Sequence, residues 1–309
     1  MKEVKVGAEY SDDLIQLDYI GDLGMSEMIG LMRLHVQEVT RFTTLIAHKL
    51  TLNKKQWLEF KADCESYQIN PDPFITEVDE TQYHFSTLGI FLLKICAKVH
   101  DIGKPLFRSI YRLERSLTDE EFNRQKLHAD LTRMIVCSLL LDQRYQWKEP
   151  QLVKMVADCA AAHQEKMDGS GYPDGAKGTE IPLIGRLLAI SDALSAIINP
   201  RPYQKETPLV TAIEWITRDR GSHFDPQLLD GAIAVIQQER YSAQRFSGSW
   251  EKEAGFTQEY SDMLNNISAV EIDGASSKLL TANKRALMLL NGMIAESLVE
   301  KNSSIDPKT

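Results

Sequence analysis

The stretch LLKICAKVHDIGKP, residues 92–105, joins an apolar helical pattern to an adjacent histidine and aspartate. Apolar residues recur at helical spacing on one face of the predicted helix, at Leu88, Leu92, Ile95 and Val99. The pattern ends at His100 and Asp101, followed by a glycine turn and Lys104. An imidazole beside a carboxylate suits a divalent metal, and a carboxylate can bridge two metals. Such a pair can also form a helix-end hydrogen bond, so the pair alone does not decide the function.

Four more residues with metal-binding side chains lie on other predicted helices: His35, His128, His163 and Asp192. Helical bundles build dinuclear sites by converging such side chains from several helices, and here Asp101 would be shared. The remaining histidines, His48, His84 and His223, are expected to be satisfied by backbone carbonyls or solvent.

Helical periodicity and capping signals predict an all-α fold. Ser26 is the predicted N-cap of a helix that reaches residue 50. No alternating strand pattern of convincing length is present, and the Pro- and acid-rich INPDPFITEVDE, residues 69–80, is interpreted as a surface loop. Further helices are predicted at residues 54–67, 118–141, 150–163, 182–198 and 208–218. The densest turn segment, DGSGYPDGAKG at residues 168–178, separates two ligand-bearing helices and is a candidate wall of the site.

Composition narrows the class of protein. The 309 residues are 43% hydrophobic, which suits one main domain with an appendage. No apolar run is long enough for a membrane span, and the first residues lack a signal-peptide pattern, so we expect a cytoplasmic protein without a membrane partner. A net charge of -9 argues against DNA or RNA as a partner. The four cysteines lie far apart without a CxxC pair, which argues against disulfides and against a thiolate metal site, and they are expected to be buried and reduced.

The chain is expected to divide at two places. Residues 1–25 form an N-terminal segment, 26–238 the main domain, and 239–309 a C-terminal helical extension that begins with a polar stretch. The extension has amphipathic patterns at 260–270 and 278–299. These would serve core packing, or contact a second copy of the chain or a signalling partner.

A longer segment makes the pattern specific. AHQEKMDGSGYPDGAKGTEIPLIGRLLAISDALSA, residues 162–196, resembles the signature of the HD-GYP family, which reads HHExxDGxGYP, then an IPxxxR helix and a metal-binding Asp. Five other segments fit family positions in the same order: HVQEV around His35, the VHDIGKP segment, SLTDEEFNRQKLH before His128, RPY at 201–203 and GSHFDPQLL at 221–229. With these segments the resemblance covers residues 26–238.

The resemblance implies an HD-domain helical bundle of this bacterial signalling family, with two metals, iron or manganese. These would activate water to cleave cyclic di-GMP to linear pGpG and GMP. The implied metal ligands are His35, His100, Asp101, His128, His163 and Asp192. The implied catalytic residues are Asp101, which would hold a hydroxide between the metals, and Lys104, which would stabilise charge on the phosphate. The implied substrate-binding residues are Lys104, Arg201 and Lys205 for the phosphates, and Gly171, Tyr172 and Pro173 for the wall.

The sequence departs from the family at four points. Gln164, a candidate weak ligand, stands where the family has a second histidine, and an amide is a poorer ligand than imidazole. The second metal would therefore bind weakly, be held by the remaining His128, His163 and Asp101, or be absent. Ser195 replaces an aspartate, which predicts the loss of a hydrogen-bond partner around the ligands. Leu31 stands where a third metal would need Glu, so no third metal is predicted. Residues 51–82 look like an insertion that forms a lid, a partner surface or a plain surface excursion.

Three functions therefore stay open. The first is an active cyclic di-GMP phosphodiesterase. The second, suggested by Gln164 and Ser195, is a degenerate protein that binds cyclic di-GMP or a partner protein and signals without turnover. The third is a phosphohydrolase acting on another nucleotide, against which the DGSGYP and FDP segments argue.

Overall fold

A computed structural model gives the fold, and it describes residues 8–26, 28, 30–111, 113, 115–199 and 207–238. Over this part of the chain the fold is helical, which confirms the all-α class with one small sheet as an exception. The helices are α1 Ala8–Ser26, α2 Gly30–Lys49, α3 Lys54–Ser66, α4 Thr87–Val99, α5 Arg108–Tyr111, α6 Asp119–Ser138, α7 Pro150–Ala161, α8 Leu183–Ile198, α9 Leu209–Arg218 and α10 Pro226–Gln238.

Most predicted helices lie where the capping signals placed them. The clearest case is α6, whose N-cap Thr118 accepts a hydrogen bond from the N–H of Glu121 while the Glu121 side chain accepts one from the N–H of Thr118. This reciprocal cap begins a helix that carries His128 into the core. The stripe that predicted α4 is also confirmed, because Leu92, Ile95 and Val99 are fully buried.

The surface-loop prediction for residues 69–80 was wrong, because this stretch contains a strand and the buried Phe74. Three strands, β1 Leu52–Asn53, β2 Ile75–Glu77 and β3 Gln82–Phe85, form an antiparallel sheet in the order β1-β3-β2. Strands of two to four residues are too short to show an alternating pattern in the sequence. The sequence pattern therefore did not predict them.

The segment 51–82 is part of the main core. Phe60 on α3 and Phe74, in a 3₁₀ turn, are completely buried. The Phe60 ring packs edge-on against the rings of Phe74 and Phe85, with centroids 6.5 and 5.7 Å apart. Because its aromatic side chains are buried among those of the main domain, the segment is not a plain surface excursion.

The N-terminal helix α1 was not predicted, and the N-cap assigned to Ser26 was wrong, because α1 ends at Ser26 and α2 begins at Gly30. Leu14, Leu17 and Ile20 of α1 are completely buried in the same core as α4. The acidic and apolar residues of α1 are mixed in sequence, so its buried stripe is visible only once α4 lies against it.

The four cysteines, Cys64, Cys96, Cys137 and Cys159, are buried and free, as expected. Among the described residues, no helix has the length and apolarity that crossing a membrane requires. The amphipathic stretches predicted at 260–270 and 278–299 lie outside the described residues.

Candidate metal centre

The His-Asp pair lies at the end of α4, where α6 holds it. His100 is the C-cap of α4, and its carbonyl oxygen accepts a 2.9 Å hydrogen bond from the hydroxyl of Thr132 on α6. The same hydroxyl oxygen accepts a 3.2 Å bond from the N–H of Gly103. A Cβ at Gly103 would lie 2.4 Å from the carbonyl oxygen of His128, so only glycine lets the turn approach α6 this closely.

Five helical elements bring the six predicted ligands together. His35 lies on α2, His100 and Asp101 follow α4, and His128 lies on α6. His163 lies in a 3₁₀ turn after α7, and Asp192 lies on α8. All except His35 and Asp192 are fully buried, and those two are only partly exposed.

The side chains form two groups that share Asp101. The first ligand group comprises His35, His100, Asp101 and Asp192. Oδ2 of Asp101 lies 3.6 Å from Nε2 of His35 and 3.2 Å from Nε2 of His100. Oδ1 of Asp192 lies 2.8 and 3.8 Å from the same two nitrogens. Four nitrogen and oxygen donors therefore face one point.

The second ligand group comprises Asp101, His128 and His163. Oδ1 of Asp101 lies 3.5 Å from Nε2 of His128 and 3.6 Å from Nε2 of His163. The two imidazole nitrogens lie 3.3 Å from each other. In each group one carboxylate oxygen of Asp101 is within reach of an ion bound by the histidines.

The hydrogen bonds of the rings show that these donors fit a metal. Nδ1 of His100, His128 and His163 lies 2.6–2.7 Å from a backbone carbonyl oxygen three residues earlier in the chain. A carbonyl can only accept, so each Nδ1 carries a proton, and in a neutral ring Nε2 presents a lone pair. Two such lone pairs facing each other beside a carboxylate repel, and a divalent cation removes that repulsion. Nε2 of His100 and Oδ1 of Asp101 are also buried without a hydrogen-bond partner in the described chain.

The charge states of these residues agree with a metal site. Burial lowers the pKa of His128 to about 4 and that of His163 to about 3, so both rings are neutral near pH 7. Burial would raise the pKa of Asp101, but His100 and Lys104 outweigh burial and hold that pKa well below its usual range. Burial lowers the pKa of His100, but the charge of Asp101 outweighs burial, so the pKa of His100 lies above its usual value. The ionised carboxylate and the neutral rings of His128 and His163 are in the protonation states that bind metals, and His100 would release a proton when an ion binds.

Comparison with known families agrees with this geometry. Residues 90–228, which carry five of the six ligands, match the family model described as HD domain. Over these residues, which are less than half of its length, the chain is similar to an HD domain. HD domains bind divalent metal ions, and both ligand groups have the donor types that such ions need.

Curated relatives resemble the same part of the chain. A protein of Vibrio cholerae serotype O1 named "Probable cyclic di-GMP phosphodiesterase" is 36% identical over 152 residues, which are 49% of this chain and 34% of that protein. The "Cyclic di-GMP phosphodiesterase response regulator RpfG" of Xanthomonas campestris pv. campestris is 29% identical over 49% of this chain and 38% of its own length. A "3'3'-cGAMP-specific phosphodiesterase 3" of Vibrio cholerae is 29% identical over 49% and 31%. The chain thus spans about a third of the length of these relatives.

Lys104 lies inside the cluster of candidate ligands. Its ammonium group forms an ion pair with Oδ2 of Asp101, and the residue is only 8% exposed. The 3₁₀ turn Lys104–Phe107 holds it there, directly after the glycine turn. Lys104 is therefore not an ordinary surface lysine at a helix end.

The side chain of Gln164 contacts the first ligand group rather than the second. Its Nε2 donates a 2.8 Å hydrogen bond to Oδ2 of Asp192, the oxygen that does not face His35. An ionised carboxylate only accepts, which fixes the orientation of the amide. The amide therefore orients Asp192.

The prediction that Ser195 costs the site a hydrogen-bond partner was wrong. Oγ of Ser195 lies 2.9 Å from Nδ1 of His35. Its hydroxyl donates to the carbonyl oxygen of His35 at 3.2 Å, and Nδ2 of Asn199 donates to Oγ at 3.1 Å. Oγ can therefore accept the Nδ1 proton of His35, which leaves Nε2 directed at the two carboxylates. A serine hydroxyl replaces the usual aspartate because α8 packs directly against α2.

The turn segment 168–178 lies beside the second ligand group. The Tyr172 ring meets the His128 ring edge-on, with centroids 6.1 Å apart. At Gly171 an added Cβ would lie 2.4 Å from the backbone nitrogen of Lys166, so the turn requires glycine there. Tyr172 thus lies beside the second ligand group and Pro173 is buried, while the role of the turn as a substrate wall stays a prediction.

Sequence analysis did not single out Lys126, which lies on α6 two residues before His128. Its ammonium group lies 4.7 Å from the ring centroid of Phe122 and 5.9 Å from that of Tyr172. The spacing of Phe122 and Lys126 was a weak signal, because it occurs on any helix surface. The contact with Tyr172 joins residues 46 positions apart in the sequence.

Some predicted residues lie elsewhere or outside the described part. Arg201 and Lys205 lie outside it, and so does the side chain of Leu31, on which the third-metal prediction depends. His84 fits its expected role, because its Nδ1 lies 3.1 Å from the carbonyl oxygen of Leu50. His48 is exposed, and the His223 ring stacks on Phe224.

Proposed function

We propose that this chain is a metal-dependent phosphodiesterase that cleaves cyclic di-GMP to linear pGpG, with GMP as the product of a second cleavage. The observation that carries the proposal is the pair of ligand groups sharing Asp101. The resemblance of residues 162–196 to the HD-GYP signature and the printed names of the relatives support the substrate class.

Two ions, iron or manganese, are proposed to bind, one in each ligand group. When bound, they would supply an activated water and neutralise the charge of a phosphodiester. His35, His100 and Asp192 would hold one ion, His128 and His163 the other, and Asp101 both. This assignment fits the protonated Nδ1 atoms, which direct every Nε2 inward.

The chain's own cations complete the site. Lys104 is placed beside Asp101, so its ammonium group would contact a non-bridging oxygen of the reacting phosphate. A compact ammonium suits this task, because the growing charge lies on a small group of oxygens. Lys126 would approach the second phosphate or a ribose from the side of Tyr172. The family resemblance assigns Arg201 and Lys205 to the phosphates as well.

The wall formed by Gly171, Tyr172 and Pro173 is proposed to receive a guanine or a ribose. The half-buried Tyr172 ring, which lies beside His128 of the second ligand group, suits contact with a flat base. The relatives include one named as specific for a mixed dinucleotide, so the base preference is a separate question from the reaction.

The remaining predictions stand as part of this proposal. Residues 26–238 would form the catalytic domain, and the C-terminal helices would contact a second copy or a signalling partner. Four free buried cysteines are typical of a reducing compartment, which supports the cytoplasm as the location.

One experiment tests the proposal. The full chain is purified without oxygen, its metal content is measured, and cyclic di-GMP, cyclic GMP-AMP and cyclic di-AMP are each incubated with it under iron and under manganese. We expect about two ions per chain and linear pGpG from cyclic di-GMP. Binding of cyclic di-GMP without any product would identify a binding protein instead, and cleavage of another dinucleotide alone would correct the substrate.

A further inference from the structure

A buried arginine connects the wall of the site to the rest of the molecule. Arg133 on α6 is 1% exposed and forms ion pairs with two carboxylates. Its Nε lies 2.7 Å from Oδ1 of Asp158 on α7. Its Nη2 and Nη1 donate to Oδ2 and Oδ1 of Asp174 at 2.5 and 3.3 Å. A buried guanidinium without partners is costly, so this pairing fixes Asp174 in position.

One end of this connection lies in the segment 51–82. The hydroxyl of Tyr67, which caps the C-terminus of α3, donates a 2.5 Å hydrogen bond to Oδ2 of Asp158. Burial and the charge of Asp158 raise the pKa of Tyr67, so the hydroxyl keeps its proton and stays a donor. Tyr67 thereby orients Asp158 so that its other oxygen faces Arg133.

The other end lies at the wall. Asp174 directly follows Tyr172 and Pro173, and its N–H donates a 2.7 Å hydrogen bond to Oε1 of the buried Glu165. The N–H of Tyr172 itself donates to the carbonyl oxygen of Gln164 at 3.1 Å. The turn is therefore held from the protein interior on both sides of Tyr172.

We propose that Tyr67, Asp158, Arg133 and Asp174 form a positioning chain that fixes the Tyr172 wall for substrate binding. Through this chain the segment 51–82 sets the affinity of the site for a cyclic dinucleotide. The inference rests on the proposed function for the identity of the ligand. None of the four residues belongs to a ligand group, so the chain acts on binding and not on the metals.

Substitutions at the two ends test this chain. Tyr67→Phe removes one hydroxyl, and Asp174→Asn removes one charge while keeping the shape of the side chain. Both should raise the KM for cyclic di-GMP by about tenfold, because a small displacement of a binding wall is costly. The kcat, the metal content and the hydrolysis of bis(p-nitrophenyl) phosphate, a diester too small to need the wall, should be unchanged. The matched control is Tyr83→Phe on β3, whose hydroxyl makes a long 3.4 Å contact with the carbonyl oxygen of Glu80 and belongs to neither the wall nor the proposed chain.

Several outcomes would overturn the inference. An unchanged KM in both variants, or an equal loss of activity on both substrates, would make the chain a stabilising element only. If the parent protein binds cyclic di-GMP without cleaving it, the proposed function fails, and the same variants are compared by equilibrium dialysis. A dissociation constant that stays at the parent value would then overturn the positioning role as well. Absence of any binding by the parent would overturn both proposals.

Discussion

The two ligand groups differ in how well their donors are supplied. The first group has two histidines and two carboxylates, and Asp192 is held by Gln164 while His35 is held by Ser195. The second group has two histidines and shares the carboxylate of Asp101. In the family signature position 164 is a histidine, and here the amide faces the first group instead.

This difference teaches that one substitution can affect the two groups in opposite ways. With Gln164 in place of histidine, the second group has one metal-binding side chain fewer than the family signature would give it. The same residue donates a hydrogen bond to Oδ2 of Asp192, which directs Oδ1 of Asp192 at His35. We therefore expect two metal affinities of unequal strength, with the first group binding more tightly.

Replacing the shared ligand should have the largest effect. Asp101→Asn removes the charge that both groups use, so metal affinity at both should fall by about a hundredfold or more. Metal content after dialysis and titration calorimetry measure it. Asp230→Asn, at an exposed aspartate paired with Arg220, is the control and should bind like the parent. Survival of one full-affinity site in Asp101→Asn would show that Asp101 is not shared.

Restoring an imidazole should make the two groups more alike. Gln164→His is expected to raise the metal affinity of the second group on the order of thirtyfold, because imidazole is the better ligand for iron or manganese. Loss of the hydrogen bond to Asp192 should weaken the first group slightly. Titration calorimetry resolves both constants. If neither constant changes, position 164 has no part in the difference.

Removing the hydroxyl that holds His35 should weaken the first group alone. Ser195→Ala takes away the acceptor for Nδ1, so the ring loses its preferred tautomer and orientation. A loss of about tenfold in affinity is expected, the usual effect of such an outer partner. Ser138→Ala, at a buried serine that belongs to neither ligand group and donates to the carbonyl oxygen of Ile135, serves as the control. A loss in the second group instead would contradict this account.

The smallest effect is expected beside the second group. Lys126→Met keeps the packing on Phe122 but removes the charge near Tyr172. The KM for cyclic di-GMP should rise about threefold at low salt and less at high salt, because salt screens a cation that is only partly buried. Steady-state kinetics at two salt concentrations measures this, with Lys61→Met on α3 as the control. A rise that does not depend on salt would point to lost packing.

Particular residues show how far the sequence alone could go. The candidate ligands His100 and Asp101 could be predicted because an apolar helix ends at them. The other four lie on or directly after helices that helical periodicity or a cap predicts: His35, His128, His163 and Asp192. The roles of Ser195 and Gln164 were not visible, because each depends on which helix lies opposite. The three short strands and the buried Phe74 were missed for the same reason.

The sequence by itself determined the helical class, the candidate ligands and the turn that forms the wall, because helical periods, caps and glycine turns are local properties. Only the tertiary structure decided which oxygen of Asp101 faces each ligand group and that Gln164 faces Asp192. The connection from Tyr67 to Asp174 through Asp158 and Arg133 is also visible only there. Hydrogen bonds and ion pairs act over about 3 Å, and residues far apart in the sequence come that close only when the helices pack.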